Sequence, residues 1–277
     1  RGERAGAGGG GCGARGDGSM KLVHGGDTVG YREKYGRDAV DFSANVSPLG
    51  IPTAVAQAIG EAAYHADRYP DPLCRELCAA IARAESVPVE WVLCGNGAAD
   101  LIFRLALSVR PHRALILAPT FAEYAAALKT VGCEICRYEL SERNDFALTP
   151  EFADAIDENV DMVFLCQPNN PTGQVANRAL MQKILEQCQA VAGGRRLFIL
   201  KAFTKLYGMA GVRLGYGLCA DGELLAHMRN AGQPWAVSSL AQAAGIAALE
   251  QGDYVERVRA LVEEERPYLM EGMRALG

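Results

Sequence analysis

A mostly parallel β-sheet with helices on both faces, an α/β fold, is what this 277-residue chain predicts, on two observations. Short runs that are apolar throughout, rather than alternating, recur along the chain, and helix-length patterns fill the intervals between them. The runs suited to buried strands are 91–94, 114–118, 133–138, 162–166, 197–200 and 214–219. The helical patterns between them are 72–84, 98–109, 122–131, 149–156, 176–191 and 222–231. After Trp235 the pattern is only helical, through 238–251 and 253–275. These features divide the chain into four expected parts. Residues 1–19 form a glycine-rich extension too poor in apolar side chains to bury surface, hence expected to be disordered. Residues 20–50 form an N-terminal arm, 51–235 a large domain, and 236–277 the helical start of a further domain cut short by the end of the chain.

Composition excludes several classes of function. Hydrophobic residues at 49% and charged residues at 22% are ordinary globular values, so an enzyme is permitted. A net charge of −5 with no basic stripe gives nucleic acid no footing. No apolar run approaches the roughly 20 residues that a membrane span requires, and residues 1–19 lack the apolar core of a secretory signal. A cytoplasmic protein is expected. Nine cysteines raise a metal or disulfide reading. Zinc would need two closely spaced pairs held by tight turns, whereas Cys133 and Cys136 sit in a strand pattern and Cys74 and Cys78 share a helix face. Buried free thiols in a reducing compartment account for them better, and no metal is expected.

The most informative segment is 202–216. Thr204 directly precedes Lys205, and Arg213 follows eight residues later, beyond a glycine-containing bend. An aldehyde cofactor with a phosphate handle needs that grouping: an amine to form a Schiff base, with a hydroxyl and a guanidinium to grip the phosphate. The guanidinium fork suits phosphate oxygens better than a second ammonium would. A second candidate is the turn Cys94-Gly95-Asn96-Gly97-Ala98, where a strand ends and a helix begins. Small residues there let an anion approach free N–H groups at the positive end of the helix. Two further loops follow strand patterns. Pro119-Thr120-Phe121-Ala122-Glu123-Tyr124 offers aromatic rings for stacking or for the core, and Gln167-Pro168-Asn169-Asn170-Pro171-Thr172-Gly173 is also a good plain turn.

Together these motifs resemble the fold-type I pyridoxal-phosphate enzymes, across 21–277. The resemblance is greatest to the threonine-phosphate decarboxylase branch and next to the histidinol-phosphate aminotransferases. His24-Gly25-Gly26-Asp27, the segment 41–50 and the segment 200–208 carry the preference for the decarboxylase. The resemblance implies pyridoxal 5'-phosphate as cofactor and Lys205 as its covalent anchor. Gly97, Ala98, Thr204 and Arg213 would hold the phosphate. Tyr124, favoured over Phe121, would stack on the pyridine ring, and Asn170 would donate to the phenolic oxygen. Tyr69 would reach the cofactor phosphate of a neighbouring subunit, which implies a homodimer. The implied reaction is decarboxylation of L-threonine O-3-phosphate to (R)-1-amino-2-propanol O-phosphate for cobalamin synthesis. The alternatives are a histidinol-phosphate-type aminotransferase and an inactive remnant of the fold.

Two departures from the family pattern bear on activity. The family places an aspartate-bearing strand between the helix after Asn170 and the strand before Lys205, and the aspartate keeps the pyridine nitrogen protonated. In this sequence no acidic residue lies between Glu186 and Lys205. The absent strand is expected to lie between the strands at 162–166 and 114–118, exposing two unpaired ladders unless those two strands close up and pair directly. Asp27, Asp100 and Glu123 are the remaining carboxylates weighed as substitutes. The second departure is the C-terminal lobe with its substrate-binding arginines, which the chain ends too early to build.

Overall fold

A computed structural model describes residues 25–192 and 196–276. The glycine-rich stretch 1–19, and Gly193 and Gly194 at the shortened junction, lie outside the described residues. The chain divides into two compact units, Arg1–Ala44 and Asn45–Gly277. In the first, helix α1 (Thr28–Tyr35) starts where the Asp27 carboxylate caps the Gly30 amide and ends at Gly36 with φ 67°. Asp27 is thereby committed to its helix.

The second unit carries the expected alternation. Helices α2 (Thr53–Ala63) and α3 (Arg75–Glu85) precede β1 (Val92–Gly95), α4 (Gly97–Val109), β2 (Arg113–Ala118), α5 (Ala122–Thr130) and β3 (Glu134–Glu139). Then come β4 (Met162–Phe164), α6 (Arg178–Ala192), β5 (Ile199–Ala202), β6 (Gly215–Leu218), α7 (Gly222–Ala231), α8 (Ser239–Leu249) and α9 (Gly252–Leu276). The helix expected at 149–156 is instead a 3-10 segment, Pro150–Ala155. It is too short to repeat the α-helical hydrogen bond for long, and it needs only Phe152 and Ala153 to fill the core.

The covered strands β1 and β2 explain why their sequences are largely apolar. In the sheet β3-β2-β4 all pairs are parallel. Ala114 and Ile116 of β2 face Ile102 of α4 and Tyr124 and Leu128 of α5. Leu115 and Leu117 face Phe152 and the α6 residues Leu180 and Ile184 on the other side. In the sheet β1-β6-β5, Val92 and Cys94 meet α3 and α8, while Leu93 meets Leu101 of α4 and Leu225 and Met228 of α7. Helix α8, in the part expected to begin a further domain, thus packs into the same core as α3. No helix among the described residues is long and apolar enough to cross a membrane.

Of the two outcomes expected for the strands at 114–118 and 162–166, the structure shows direct pairing. Strands β2 and β4 are direct hydrogen-bonded neighbours, with Ala114 opposite Met162 and Ile116 opposite Phe164, so no gap lies between them. The interruption falls between β4 and β5, which end separate three-stranded sheets. Leu200 of β5 nevertheless packs into the cluster that holds Phe164 and Cys166, so helix α4 and this cluster join the two halves. The cost shows in β5 itself: Leu197 and Ile199 are 47% and 46% exposed, although their sequence suits an interior strand. No strand among the described residues pairs with the open edges of β4 and β5.

Strand β5 is held on its other side by a polar cluster. Lys201 Nζ lies 2.6 Å from Glu85 Oε1, and the Tyr216 hydroxyl donates to the same oxygen at 2.5 Å. Burial opposes ionisation of Glu85, but the hydrogen bonds from Lys201 and Tyr216 and the Lys201 charge outweigh it and hold the carboxyl below its usual range. A carboxylate lowered by folding adds stability above its unfolded pKa and loses it as pH falls through the folded value. Glu85→Gln is therefore expected to cost about 1–2 kcal/mol at neutral pH. Thermal melts of both proteins should show a gap that is full above about pH 5 and closes below it.

Candidate functional site

Register places the phosphate-binding candidates together. Ala202 of β5 and Gly95 of β1 both lie opposite Gly215 of the central β6. The Phe203 amide continues the ladder to Leu214 O at 3.3 Å. The next residues outward are Thr204 and Lys205 on one side and Arg213 on the other, at the same end as the Gly95-Asn96-Gly97 turn. Two close approaches confirm the convergence. A Cβ on Gly97, which has φ +80°, would meet Arg213 Nη2 at 2.8 Å, and a Cβ on Gly215 would meet the Ala98 nitrogen at 2.6 Å. Glycine at 97 thus serves a left-handed backbone as well as an arginine laid over it. Glycine at 215 lets β6 run against the first turn of α4.

This end of the sheet is built for an anion. Asn96, the N-cap of α4, makes no side-chain cap hydrogen bond, which leaves the first-turn amides open. Arg213 is itself held in a left-handed conformation, φ 60°, and donates from Nη1 to Ala210 O at 3.3 Å. Asp100 in the same turn is spoken for. Its carboxylate accepts from the Asn96 amide at 2.9 Å and pairs with Arg104 through Nε at 2.8 Å, so it cannot replace the missing carboxylate. Gly97→Ala must strain the backbone by about 1–2 kcal/mol and push the guanidinium aside. We expect it to weaken pyridoxal-phosphate binding about tenfold, equivalent to about 1.4 kcal/mol, in a fluorescence titration against the unaltered chain.

Lys205 occupies a turn between β5 and the 3-10 segment Ala210–Val212, with its side chain exposed. Its carbonyl accepts from the Ser47 amide at 2.9 Å. The segment carrying Ser47 and Gly50 is in turn tied down by Tyr254 of α9, whose hydroxyl meets Ser47 Oγ at 2.7 Å and Gly50 O at 2.5 Å. Gly208 with φ +64° sits against the Gly50 carbonyl, where a Cβ would come within 2.6 Å. Neither Ser47 nor Tyr254 stood out as a site residue in the sequence. Their role is to fix the backbone that presents the lysine, and only the long-range contact reveals it.

The other candidates lie on the loops after β2 and β4. Asn169, not its neighbour, organises them. It is 4% exposed, accepts from Thr120 Oγ1 at 2.8 Å and donates to Pro119 O and Thr172 Oγ1, each at 3.0 Å. With these partners supplied by Asn169, the Asn170 side chain stays exposed and makes no hydrogen bond among the described residues. Sequence reasoning passed over Asn169 because a buried asparagine in a turn looks like any other turn residue. Tyr124 is buried, stacked on Phe164 with centroids 4.7 Å apart, and burial pushes its hydroxyl pKa well up. Phe121, at the N-cap of α5, is only half-buried. Tyr69 is 81% exposed and lies beside Trp235, ring centroids 4.7 Å apart. The contacts thus bring Gly97 to Arg213 and Ala98 to Gly215, register carries Thr204 and Lys205 to the same end of the sheet, Thr120 and Asn169 link the loops of Phe121 and Asn170, and Tyr69 stays on the surface. Every described cysteine is a free thiol.

The sequence profile described as "Aminotransferase class I and II" matches residues 37–193 and 188–277. The match divides within the connection from β4 to β5, where the sheet is interrupted. Threonine-phosphate decarboxylase of Salmonella typhimurium is 36% identical over 250 residues, covering 82% of this chain and 69% of that protein. Histidinol-phosphate aminotransferase of Symbiobacterium thermophilum is 34% identical over 267 residues, covering 87% and 73%. Among solved structures, the histidinol-phosphate aminotransferase of Clostridium acetobutylicum superposes with a TM-score of 0.77 at 26% identity, covering 85% of this chain and 77% of that one.

Proposed function

The chain belongs to the class I and II aminotransferase family, and from that premise we propose that it decarboxylates L-threonine O-3-phosphate to (R)-1-amino-2-propanol O-phosphate, a precursor for cobalamin. Pyridoxal 5'-phosphate is the cofactor of this family. Its phosphate end fits the residues present: the Gly97 cradle, the uncapped amides of α4 and the Arg213 guanidinium laid over them. That convergence is the observation that carries the reading. Thr204 would add its hydroxyl, Asn170 would donate to the phenolic oxygen, and Tyr124 or the less buried Phe121 would stack on the pyridine. Exposed Tyr69 would serve the site of a second copy in a homodimer.

When bound, the cofactor supplies a conjugated ring that draws electrons from the substrate Cα. The chain's own tasks are to hold the substrate so that its Cα–carboxylate bond stands perpendicular to that ring and to keep a proton on Lys205 Nζ for delivery to Cα. The similarity to the Salmonella decarboxylase favours this reaction over transamination. The ring-nitrogen end lacks its partner, since no carboxylate occurs between Glu186 and Lys205. A weakly active or inactive member of the fold is therefore the second reading. Incubation with pyridoxal phosphate and either L-threonine O-3-phosphate or histidinol phosphate plus a 2-oxo acid acceptor separates the readings. Carbon dioxide from the first substrate is expected; amino transfer from the second with no carbon dioxide from the first would overturn the proposal, and no turnover of either would favour the inactive reading.

A further inference from the structure

A cavity of about 360 Å³, whose lining does not include Lys205, opens between α3, β1 and the segment after α7. The thiols of Cys74, Cys78 and Cys94 line it, beside Arg104, Arg229 and Gln233. Cys74 is the left-handed N-cap of α3, Cys78 sits one turn on, and Cys94 projects from β1 toward both. Cys78 Sγ lies 3.7 Å from Cys94 Sγ, and Cys74 belongs to the same buried cluster. We propose that Cys78 and Cys94 are a reversible dithiol–disulfide couple, oxidised by small disulfides of the glutathione type that enter through this cavity.

The two thiols differ in the way such a couple needs. The Cys94 hydrogen bond lowers the pKa of the Cys78 thiol; burial opposes this, and the Arg229 charge adds to it. Cys94 is pushed well up by the neighbouring thiols of Cys74 and Cys78 and by burial. Cys78 is therefore the attacking thiolate. It displaces one thiolate from the small disulfide and forms a mixed disulfide. Cys94 then attacks the Cys78 sulfur, its proton leaves with the second small thiol, and the protein disulfide closes. Two protein thiols are oxidised and one small disulfide is reduced to two thiols, so the exchange balances. Closing the bond requires an approach of about 1.7 Å, from 3.7 Å to about 2.05 Å, across the contact between α3 and β1. Cys94 is also the last side chain before the Gly95-Asn96-Gly97 turn.

The test is exposure of the native chain to oxidised glutathione, followed by thiol counting and peptide mapping. Two thiols are expected to disappear, with the cross-link at Cys78–Cys94 and both recovered on reduction. Cys94→Ser should stop at a stable glutathione adduct on Cys78, and Arg229→Gln should slow that first step about tenfold. Cys74→Ser should leave the couple intact. A Cys74–Cys94 cross-link, or glutathione appearing first on the half-buried Cys136, Cys166 or Cys188, would overturn the assignment. Mapping of the unaltered chain decides the matter even where a variant fails to fold.

Discussion

Inserting an aspartate-bearing strand between Ala192 and Arg196 is expected to raise the decarboxylation rate by about 10²–10³. The reasoning has two independent parts. A buried carboxylate beside the pyridine nitrogen keeps that nitrogen protonated, and a lost electrostatic partner of this kind is worth about 3–4 kcal/mol in the rate-limiting barrier. The same strand would also pair the open edges of β4 and β5 and cover Leu197 and Ile199, now nearly half exposed. The parts can be separated with an otherwise identical insert carrying asparagine in place of the aspartate. It should raise the melting temperature as much as the first and leave the rate near that of the unaltered chain. Equal rates from both inserts would mean that the missing carboxylate does not limit the chemistry.

Lys205→Ala is expected to abolish covalent capture of the cofactor while leaving its phosphate contacts in place. Gly97, Ala98, Thr204 and Arg213 depend on the register of β1, β5 and β6, and none of them depends on the Lys205 side chain. The variant should therefore still bind pyridoxal phosphate, with the absorption spectrum of the free aldehyde, and turnover should fall below detection. Arg213→Ala gives the opposite pattern, a capture that is still possible but needs far more cofactor to saturate. A Lys205→Ala protein that turns over normally would remove the lysine from the chemistry.

Much of the fold was legible because its signals are local. The uniformly apolar runs at 91–94 and 114–118 mark strands covered on both faces, and Val92, Leu93, Leu115 and Ile116 are all buried as that requires. The helix pattern at 149–156 misled because a proline at its start and a few apolar residues satisfy a short 3-10 segment as well as an α-helix. Strand order was not legible, since it depends on which edges pair. Whether β2 and β4 pair directly was left open by the sequence; they do, and the interruption falls between β4 and β5. In the candidate site, Lys205, Gly97 and Arg213 stand out in the sequence because their chemistry is written in residue type and spacing. Asn169, Ser47 and Tyr254 could not, because their importance comes from hydrogen bonds to Thr120, Lys205 and Gly50, distant or unmarked in sequence. Tyr124 and Phe121 show the middle case: an aromatic loop after β2 was readable, but which ring enters the core was decided by packing on Phe164.

The most direct measurement is borohydride reduction of the protein mixed with pyridoxal phosphate, followed by peptide mapping. A single pyridoxyl group on Lys205 is the predicted result. An unmodified Lys205, or label spread over Lys34, Lys129, Lys183 and Lys201 without preference, would contradict the assignment of this lysine and of the anion cradle beside it.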